Sequence, residues 1–174
     1  MNDPVPTALL ATTPPKPTRR ELVAKLRDAV DGADPGTLAA LRRFKADALP
    51  PAAFYRLTVA LLDDMLPESG KLRDDREHQW GVIVAAMANA KGFLASVPFG
   101  EALARAGVAE MRVLRLLEAR AEQLPSLVRT LVHQLVQKGQ PFDPNDLANL
   151  VLAPDDDRAP RRKIAQSFYR HADT

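Results

Sequence analysis

The 174-residue chain contains no cysteine. This absence excludes a disulfide framework, a thiolate zinc site and a cysteine nucleophile. Aromatic residues make up only 5% of the chain, and runs of β-branched residues are few, which argues against a β-sandwich or a barrel. No basic flank followed by a long apolar run marks the N-terminus, and the uncharged stretch from Gln79 to Ala90 is too short to cross a membrane. The sequence therefore predicts a soluble, cytoplasmic protein with no membrane partner.

Positive and negative charges nearly cancel, with 24 lysines and arginines against 22 aspartates and glutamates. The formal net charge is only +2, with a sequence pI near 9.1. A basic surface for a partner must therefore come from an uneven distribution of arginine and lysine along the chain.

Apolar residues, mainly leucine and alanine, recur with the 3.6-residue period of a helix, and proline and glycine punctuate the segments. No segment has a strand pattern, so the sequence predicts an all-α fold of about eight or nine helices. Residues 1–18 are rich in proline and are interpreted as a flexible leader. Gly92 and the stretch from Ser96 to Pro98 indicate a boundary between an N-terminal helical lobe, 19–95, and a C-terminal helical lobe, 96–174, packed into an elongated subunit.

Helix starts and buried faces follow from local residue types. Asp34 before Pro35, and Asp143 before Pro144, are typical of an N-cap followed by the first helical residue. Two faces are expected to point inward: one with Phe54, Leu57, Leu61 and Met65, and one with Val113, Leu114, Leu117 and Ala121.

Residues with catalytic or metal-binding chemistry do not form a recognisable set. His78, His133 and His171 lie on separate predicted helices or at the terminus, without a spacing that would place two ligands on one face. The acidic run Asp155 to Asp157 lacks the alternating ligands and glycine of a calcium loop and is interpreted as a solvated loop. No glycine-rich phosphate loop or serine elbow is present. We therefore expect no enzyme activity, no metal, no cofactor and no small-molecule substrate.

Basic residues cluster on predicted outward faces. Arg42 and Arg43 lie about 100° and 200° from Leu41 on a helix, so both are expected to point away from the core. Arg112 and Arg115 are neighbours on one turn. Because the planar guanidinium suits phosphate, these groups favour a surface that contacts a nucleic-acid backbone.

The last predicted helix adds Arg161, Arg162 and Lys163 within one turn. A competing interpretation is structural: Arg115 pairs with Glu118 or Glu122, and the last-helix cluster contacts the preceding aspartates. Both interpretations stay open from sequence alone.

Aromatic residues do not alternate with the arginines. Phe54, Trp80, Phe99 and Phe168 occupy apolar helix positions, and we interpret them as core residues. Contact with phosphates, without readout of base sequence, is the expected mode of binding.

Motifs from both halves of the chain carry a family resemblance. The first half contains Leu41-Arg42-Arg43, then Pro51, then Phe54-Tyr55-Arg56-Leu57; the second contains Phe99-Gly100-Glu101-Ala102-Leu103-Ala104, followed by Gly107, Glu110, Arg112, Leu116, Leu117 and Ala119. Arg129, Leu131, the segment from Pro141 to Leu150 and the basic stretch ending in Phe168-Tyr169 extend the pattern. In this order and spacing, the chain resembles the CasB family, the small subunit of the type I-E CRISPR surveillance complex Cascade, over about residues 20–170.

The resemblance implies a two-lobed helical, non-catalytic subunit that packs beside a second copy of itself and other Cascade subunits along the crRNA-bearing backbone. Its basic surface would hold DNA strands of the R-loop without cutting them. When the basic surface of the family is carried over to the matching positions of this chain, it includes Arg42, Arg43, Arg112, Arg129 and the cluster Arg161, Arg162 and Lys163. Arg76 and Arg120 also belong to this set. The chain departs from the family in its proline-rich leader and in the Pro154 stretch, where other members carry tryptophan.

One further alternative is a free-standing helical DNA-binding regulator, suggested by Arg42 and Arg43 on a short helix after a turn. Against this alternative, no Asn or Gln that could read a base accompanies those arginines on the helix.

Overall fold

A computed structural model describes residues 16–45 and 48–172, which form nine α-helices, one 3₁₀ turn and no β-strand. The elements are α1 (Arg19–Asp31), α2 (Pro35–Arg42), α3 (Ala52–Leu62), the 3₁₀ turn (Asp63–Met65), α4 (Lys71–Asn89), α5 (Phe99–Arg105), α6 (Glu110–Glu118), α7 (Leu124–Gln137), α8 (Pro144–Leu152) and α9 (Ala159–Ala172). The predicted all-α fold and its helix number are confirmed. All but the last three residues of the predicted leader, 1–18, lie outside the described residues.

Side-chain caps fix the starts of three helices. Asp34 accepts a hydrogen bond from the backbone N–H of Thr37, and Asp143 accepts one from that of Asn145, as the Asp-Pro pairs predicted. Thr18 caps α1 in a reciprocal box with Glu21. These bonds satisfy N–H groups that would otherwise have no partner in the first helical turn.

Helix α4 forms the centre of the molecule. Every residue from Trp80 to Ala88 is buried, so the helix is enclosed on all sides over this segment. It contacts α1 and α2 from the first half of the chain and α7 and α8 from the second. The buried side chains form one continuous core that includes residues from both halves.

Backbone hydrogen bonds also cross the predicted lobe boundary. The N–H of Phe142 donates to the carbonyl of Phe93 at 3.0 Å, and the N–H of Ala95 donates to the carbonyl of Phe142 at 2.9 Å. A further bond lies on the C-terminal side of the boundary, where the N–H of Asp143 donates to the carbonyl of Val97 at 2.7 Å. The division into lobes at residues 95 and 96 stays a prediction, and the two segments share one core.

Two predicted inward faces were partly wrong. Met65 is exposed, because α3 ends at Leu62 and a 3₁₀ turn with a different pitch follows. On α6 the fully buried residues are Val113 and Leu116, whereas Ala121 is exposed. The helix ends at Glu118, so its 100° periodicity does not extend to residue 121.

Helices α5 and α9 approach each other closely through Gly100. A β-carbon on this glycine would overlap the Ile164 carbonyl, the Ser167 hydroxyl and the Phe168 backbone nitrogen. Two of these obstacles are backbone atoms, which cannot rotate away. Close packing of the two helices therefore requires glycine at this position.

Within the part of the chain that the structure describes, no helix is long and apolar enough to cross a membrane.

We predict that Gly100→Ala lowers the free energy of unfolding by about 1–3 kcal/mol or more, because overpacking forces α5 and α9 apart. Gly32→Ala is the matched control. Gly32 has a helical φ, and an added β-carbon there would meet only the carbonyl oxygen of Asp28 at an ordinary 3.5 Å. Urea denaturation followed by circular dichroism measures both. Equal stability of the two variants would contradict the close-approach argument.

Candidate nucleic-acid interface

A groove of about 320 Å³ lies between the C-terminal end of α2, the second half of α4 and the first half of α7. We call it the basic groove. Its buried apolar floor consists of Phe44, Val82, Ala85, Ala86, Val128 and Val132. Its more exposed polar rim consists of Arg42, Lys45, Asn89, Ser126, Arg129 and Thr130. The groove therefore joins a cationic edge to an apolar interior.

Arg42 is held at the rim by a contact with α4. Its Nε donates to the carbonyl oxygen of Ala88 at 2.9 Å, across a gap of 46 positions in sequence. That carbonyl lies in the last turn of α4, where the helix dipole favours a cation. The single Nε bond orients the guanidinium and leaves its two Nη groups without a described protein partner. Those groups form the part of the fork that binds phosphate.

Arg129 and Lys45 place two further cations on the same rim. Arg129 is exposed on α7, and Lys45 is exposed just after α2. The structure therefore brings together the predicted Arg42 and Arg129, which are distant in sequence.

None of the described residues that line the groove carries a negative charge. No acidic side chain in the described ranges lies within 4.0 Å of the charged groups of Arg42, Lys45 or Arg129. The adjacent cavity, lined by Asp75 and Glu122, is mixed in charge. Among the described residues, no acidic side chain therefore neutralises the cations of the rim.

His78 lies beside the groove without adding to its charge. Its ring centroid is 5.5 Å from that of Phe44, which forms part of the floor. Burial lowers the pKa of His78, and the nearby Asp75 only partly opposes that effect. The side chain is therefore mainly neutral at pH 7, and the positive charge comes from arginine and lysine.

Three other predicted arginines are exposed outside the groove lining. Arg43 donates from Nε to the carbonyl of Ala39 on its own helix at 3.0 Å. Arg112 donates to the side chain of Gln134 at 2.9 Å. Arg115 forms none of the ion pairs with Glu118 or Glu122 that the structural interpretation required, within the residues described. These arginines are compatible with a phosphate-binding surface.

The basic cluster at the start of α9 is divided by the structure. Arg161 is buried, with 8% of its surface exposed, and donates to the carbonyl of Ala119 at 2.8 Å. Its guanidinium also lies 3.8 Å from Asp155, in line with the structural interpretation. The prediction that Arg161 lies on the exposed surface is therefore wrong. The side chain is buried because it connects α9 to the end of α6. Arg162, the next residue, is exposed.

Lys163 is exposed but paired. Its Nζ lies 2.6 Å from Oδ1 of Asp146, a residue with only 4% of its surface exposed. The other carboxylate oxygen of Asp146 accepts the backbone N–H of Phe99 at the start of α5 at 3.1 Å. Lys163 therefore neutralises a buried carboxylate that links α5, α8 and α9.

Arg76 and Arg120 complete the predicted set. Arg76 is half-buried and donates to the carbonyl of Leu152 at 2.8 Å and to Gln79 at 3.0 Å, which joins α4 to the end of α8. Arg120 is exposed in the segment between α6 and α7. Arg76 has a packing role, whereas Arg120 is open to a partner.

Catalytic and metal-binding groups stay apart in the described structure. His78, His133 and His171 lie on α4, α7 and α9 respectively. Within the described ranges, no group of three or more histidine or acidic side chains is placed to hold a metal ion. Asp155 and Asp157 instead accept backbone N–H bonds from Ala121 and Ala159.

Sequence reasoning missed Lys45, Asn89 and the apolar floor of the groove. Lys45 follows Arg42 and Arg43 closely, so local charge density was a usable signal. Asn89 and the floor had no such signal, because alanine and valine on a buried helix are typical of any core.

A family model described as CRISPR-associated protein Cse2 matches the chain over residues 37–169. This range covers well over half of the chain and includes every residue of the basic groove. Comparisons with curated proteins and with solved structures gave no match.

The neighbours Arg161 and Arg162 provide a matched pair for a stability test. We predict that Arg161→Ala lowers the free energy of unfolding by about 1.5–3 kcal/mol, because the Ala119 carbonyl loses a charge-assisted hydrogen bond. Arg162→Ala should change it by less than about 0.5 kcal/mol, since that side chain is exposed. Chemical denaturation measures both, and equal effects would contradict the assigned roles.

Proposed function

The chain belongs to the Cse2 (CasB) family, the small subunits of the type I-E CRISPR complex Cascade, and from this premise we propose that it holds nucleic-acid strands by their phosphates. The predicted family resemblance is confirmed over residues 37–169. The proposed role is non-catalytic: the subunit binds the backbone without sequence preference and stabilises the R-loop.

The basic groove is the observation that carries this proposal. Three cations, Arg42, Lys45 and Arg129, surround it without a described acidic partner. A surface lysine or arginine paired within the protein gains little from a phosphate, because the existing pair must first break. Cations without such a partner interact with phosphate directly and release its counterions.

Five other predicted arginines are exposed outside the groove: Arg43, Arg112, Arg115, Arg120 and Arg162. We propose that they add contacts along a strand, while Arg76, Arg161 and Lys163 support the fold. Phe54, Trp80, Phe99 and Phe168 are buried, as predicted. They are therefore unavailable to stack on successive bases, which favours contact through phosphates along most of the strand.

The proposed partners are crRNA and the strands of target DNA, other Cascade subunits and a second copy of this chain, all in the cytoplasm. Exposed apolar residues on α3 suit a protein partner. Val59 has 56% of its surface exposed. Tyr55, one turn from Val59 on α3, is also exposed and bonds through its hydroxyl to Glu77 of α4. We call Tyr55 and Val59 the apolar patch of α3 and propose that it contacts a protein subunit.

The alternative of a free-standing helical DNA-binding regulator is the weaker proposal, because the family match supports a Cascade subunit. Helix α2 packs against α4, and the Nε of Arg42 is bonded to the Ala88 carbonyl of α4, so only the Nη groups of this arginine are left for a contact with DNA.

Charge removal at the groove tests the proposal. We predict that Arg42→Ala, Lys45→Ala and Arg129→Ala together weaken DNA binding and R-loop formation by the assembled complex. The slope of log affinity against log salt should fall by up to about three units, one for each lost phosphate contact. The fold should persist, since these side chains are exposed.

The matched control changes Arg20, Arg56 and Arg170 to alanine. All three are exposed and outside the groove, so the control has the same net charge as the groove variant. It should retain most of the affinity and the salt slope. If both triple variants lost the same amount of DNA affinity, the loss would come from the change in net charge. That result would contradict a specific role for the groove.

The apolar patch of α3 supports a second test. Val59→Asp should reduce the fraction of the chain that co-purifies with the other Cascade subunits, because a charge would be buried against the partner. Ala60→Asp, at an exposed neighbouring position, is the control. Native mass spectrometry measures the subunit composition, and full incorporation of Val59→Asp would show that the apolar patch of α3 lies outside the interface.

A further inference from the structure

We propose that the basic groove receives one unpaired nucleobase, flipped out of a single strand, while the cations of the rim hold the neighbouring phosphates. This inference rests on the proposed function, and it adds a base-binding pocket to a surface otherwise expected to contact phosphates alone. It concerns an unpaired strand, whether DNA or RNA.

The apolar interior of the groove motivates the inference. A surface that binds only phosphates needs cations but no cavity. Here the space of about 320 Å³ extends below the rim to buried Ala85, Ala86 and Val128. That volume is at the lower end of cavities that bind small organic ligands, roughly 300–1,000 Å³. A planar base with two apolar faces is an occupant of suitable size and chemistry.

Hydrogen-bond acceptors lie around the opening. The side-chain nitrogen of Asn89 donates to the Ala85 carbonyl at 2.8 Å, which orients the amide and leaves its oxygen as an acceptor. The hydroxyls of Ser126 and Thr130 donate to helix carbonyls, so their oxygens keep lone pairs. These groups suit the N–H groups on the edge of a base.

Cations surround the same opening. Arg42 and Arg129 come from α2 and α7, on different sides of the groove, and Lys45 adds a third charge. Flipping a base turns its edge away from the strand while the adjoining phosphates stay at the protein surface. An apolar centre ringed by cations matches this arrangement of a base between two phosphates.

An apolar side chain from a protein partner is the competing occupant. Its docking would remove water from the three rim cations, and none of the described lining residues is acidic and able to compensate for that loss. A nucleotide supplies that compensation through its phosphates. Charge complementarity therefore favours the nucleotide.

The geometry of a duplex explains why the base must be unpaired. The bases of a duplex are stacked, and their hydrogen-bonding edges are occupied, so entry would require the unpairing of a base pair. A single strand needs only local unstacking. The pocket should therefore favour single strands over duplexes.

An abasic oligonucleotide separates base contacts from phosphate contacts. The full-length protein is titrated with fluorescent dT12 and with a 12-unit abasic strand that has the same phosphates, and anisotropy measures both affinities at low salt. One inserted base should make dT12 bind about five- to one-hundred-fold more tightly.

Ser126→Phe blocks the pocket without removing a charge. Ser126 is exposed on the rim, so the added ring can enter the cavity while the fold is retained, as circular dichroism would verify. The advantage of dT12 should disappear, and abasic binding should stay unchanged. Thr130→Phe, also on the exposed rim, is a second blocking variant in case Ser126→Phe misfolds. Ser69→Phe, exposed outside the groove, should preserve both affinities.

Any other result would contradict the base-binding pocket, and the results can be told apart from one another. Equal binding of dT12 and the abasic strand would overturn the pocket and leave phosphate binding intact. If neither strand binds at low salt, the proposed function fails, and the pocket fails with it. A dT12 advantage that survives both blocking variants would place the base elsewhere. Loss of Ser126→Phe from the Cascade complex, with the dT12 advantage unchanged, would assign the cavity to a protein side chain.

Discussion

The complete burial of helix α4 from Trp80 to Ala88 is the constraint on which the rest of the structure depends. A helix enclosed on all sides needs neighbours around its full circumference, and the chain supplies them from both halves. Small residues make this possible. Gly81 allows the Phe44 ring to lie close to α4, since a β-carbon there would be only 3.1 Å from two ring atoms. Phe44 in turn forms part of the floor of the basic groove.

The groove is a direct consequence of this arrangement. Alanines on α4 leave space where larger residues would fill the gap between α4 and α7. The last turn of α4 presents the Ala88 carbonyl to Arg42, so the same helix forms the floor and orients a cation of the rim. Apolar packing and charge are therefore coupled: a shift of α4 would change both the depth of the groove and the position of its guanidinium group.

The structural and the binding arginines described above differ in how far the guanidinium is exposed. Arg76 and Arg161 donate to backbone carbonyls at helix ends, where they satisfy acceptors that lack an intrahelical partner. Arg129 is exposed and has no described acidic partner. Because the guanidinium stays charged in either setting, residue type alone does not distinguish the groups. The distinction between a structural and a binding arginine depends on how much of the guanidinium stays exposed: Arg42 also donates to a helix-end carbonyl, yet it is exposed and its Nη groups have no described protein partner.

The sequence by itself determined the helical class, the Asp34 and Asp143 caps and the burial of the four core aromatics, because these features depend on residues close together along the chain. It also supported family membership through the order of its motifs. Only the tertiary structure decided that Arg161 is buried whereas Arg162 is exposed, since both lie on one helical turn and differ in what packs against them. The same holds for the basic groove, whose rim joins Arg42 to Arg129 across a large separation in sequence. Helical periodicity reports the inward face of each helix, but the path of the chain determines which outward residues become neighbours.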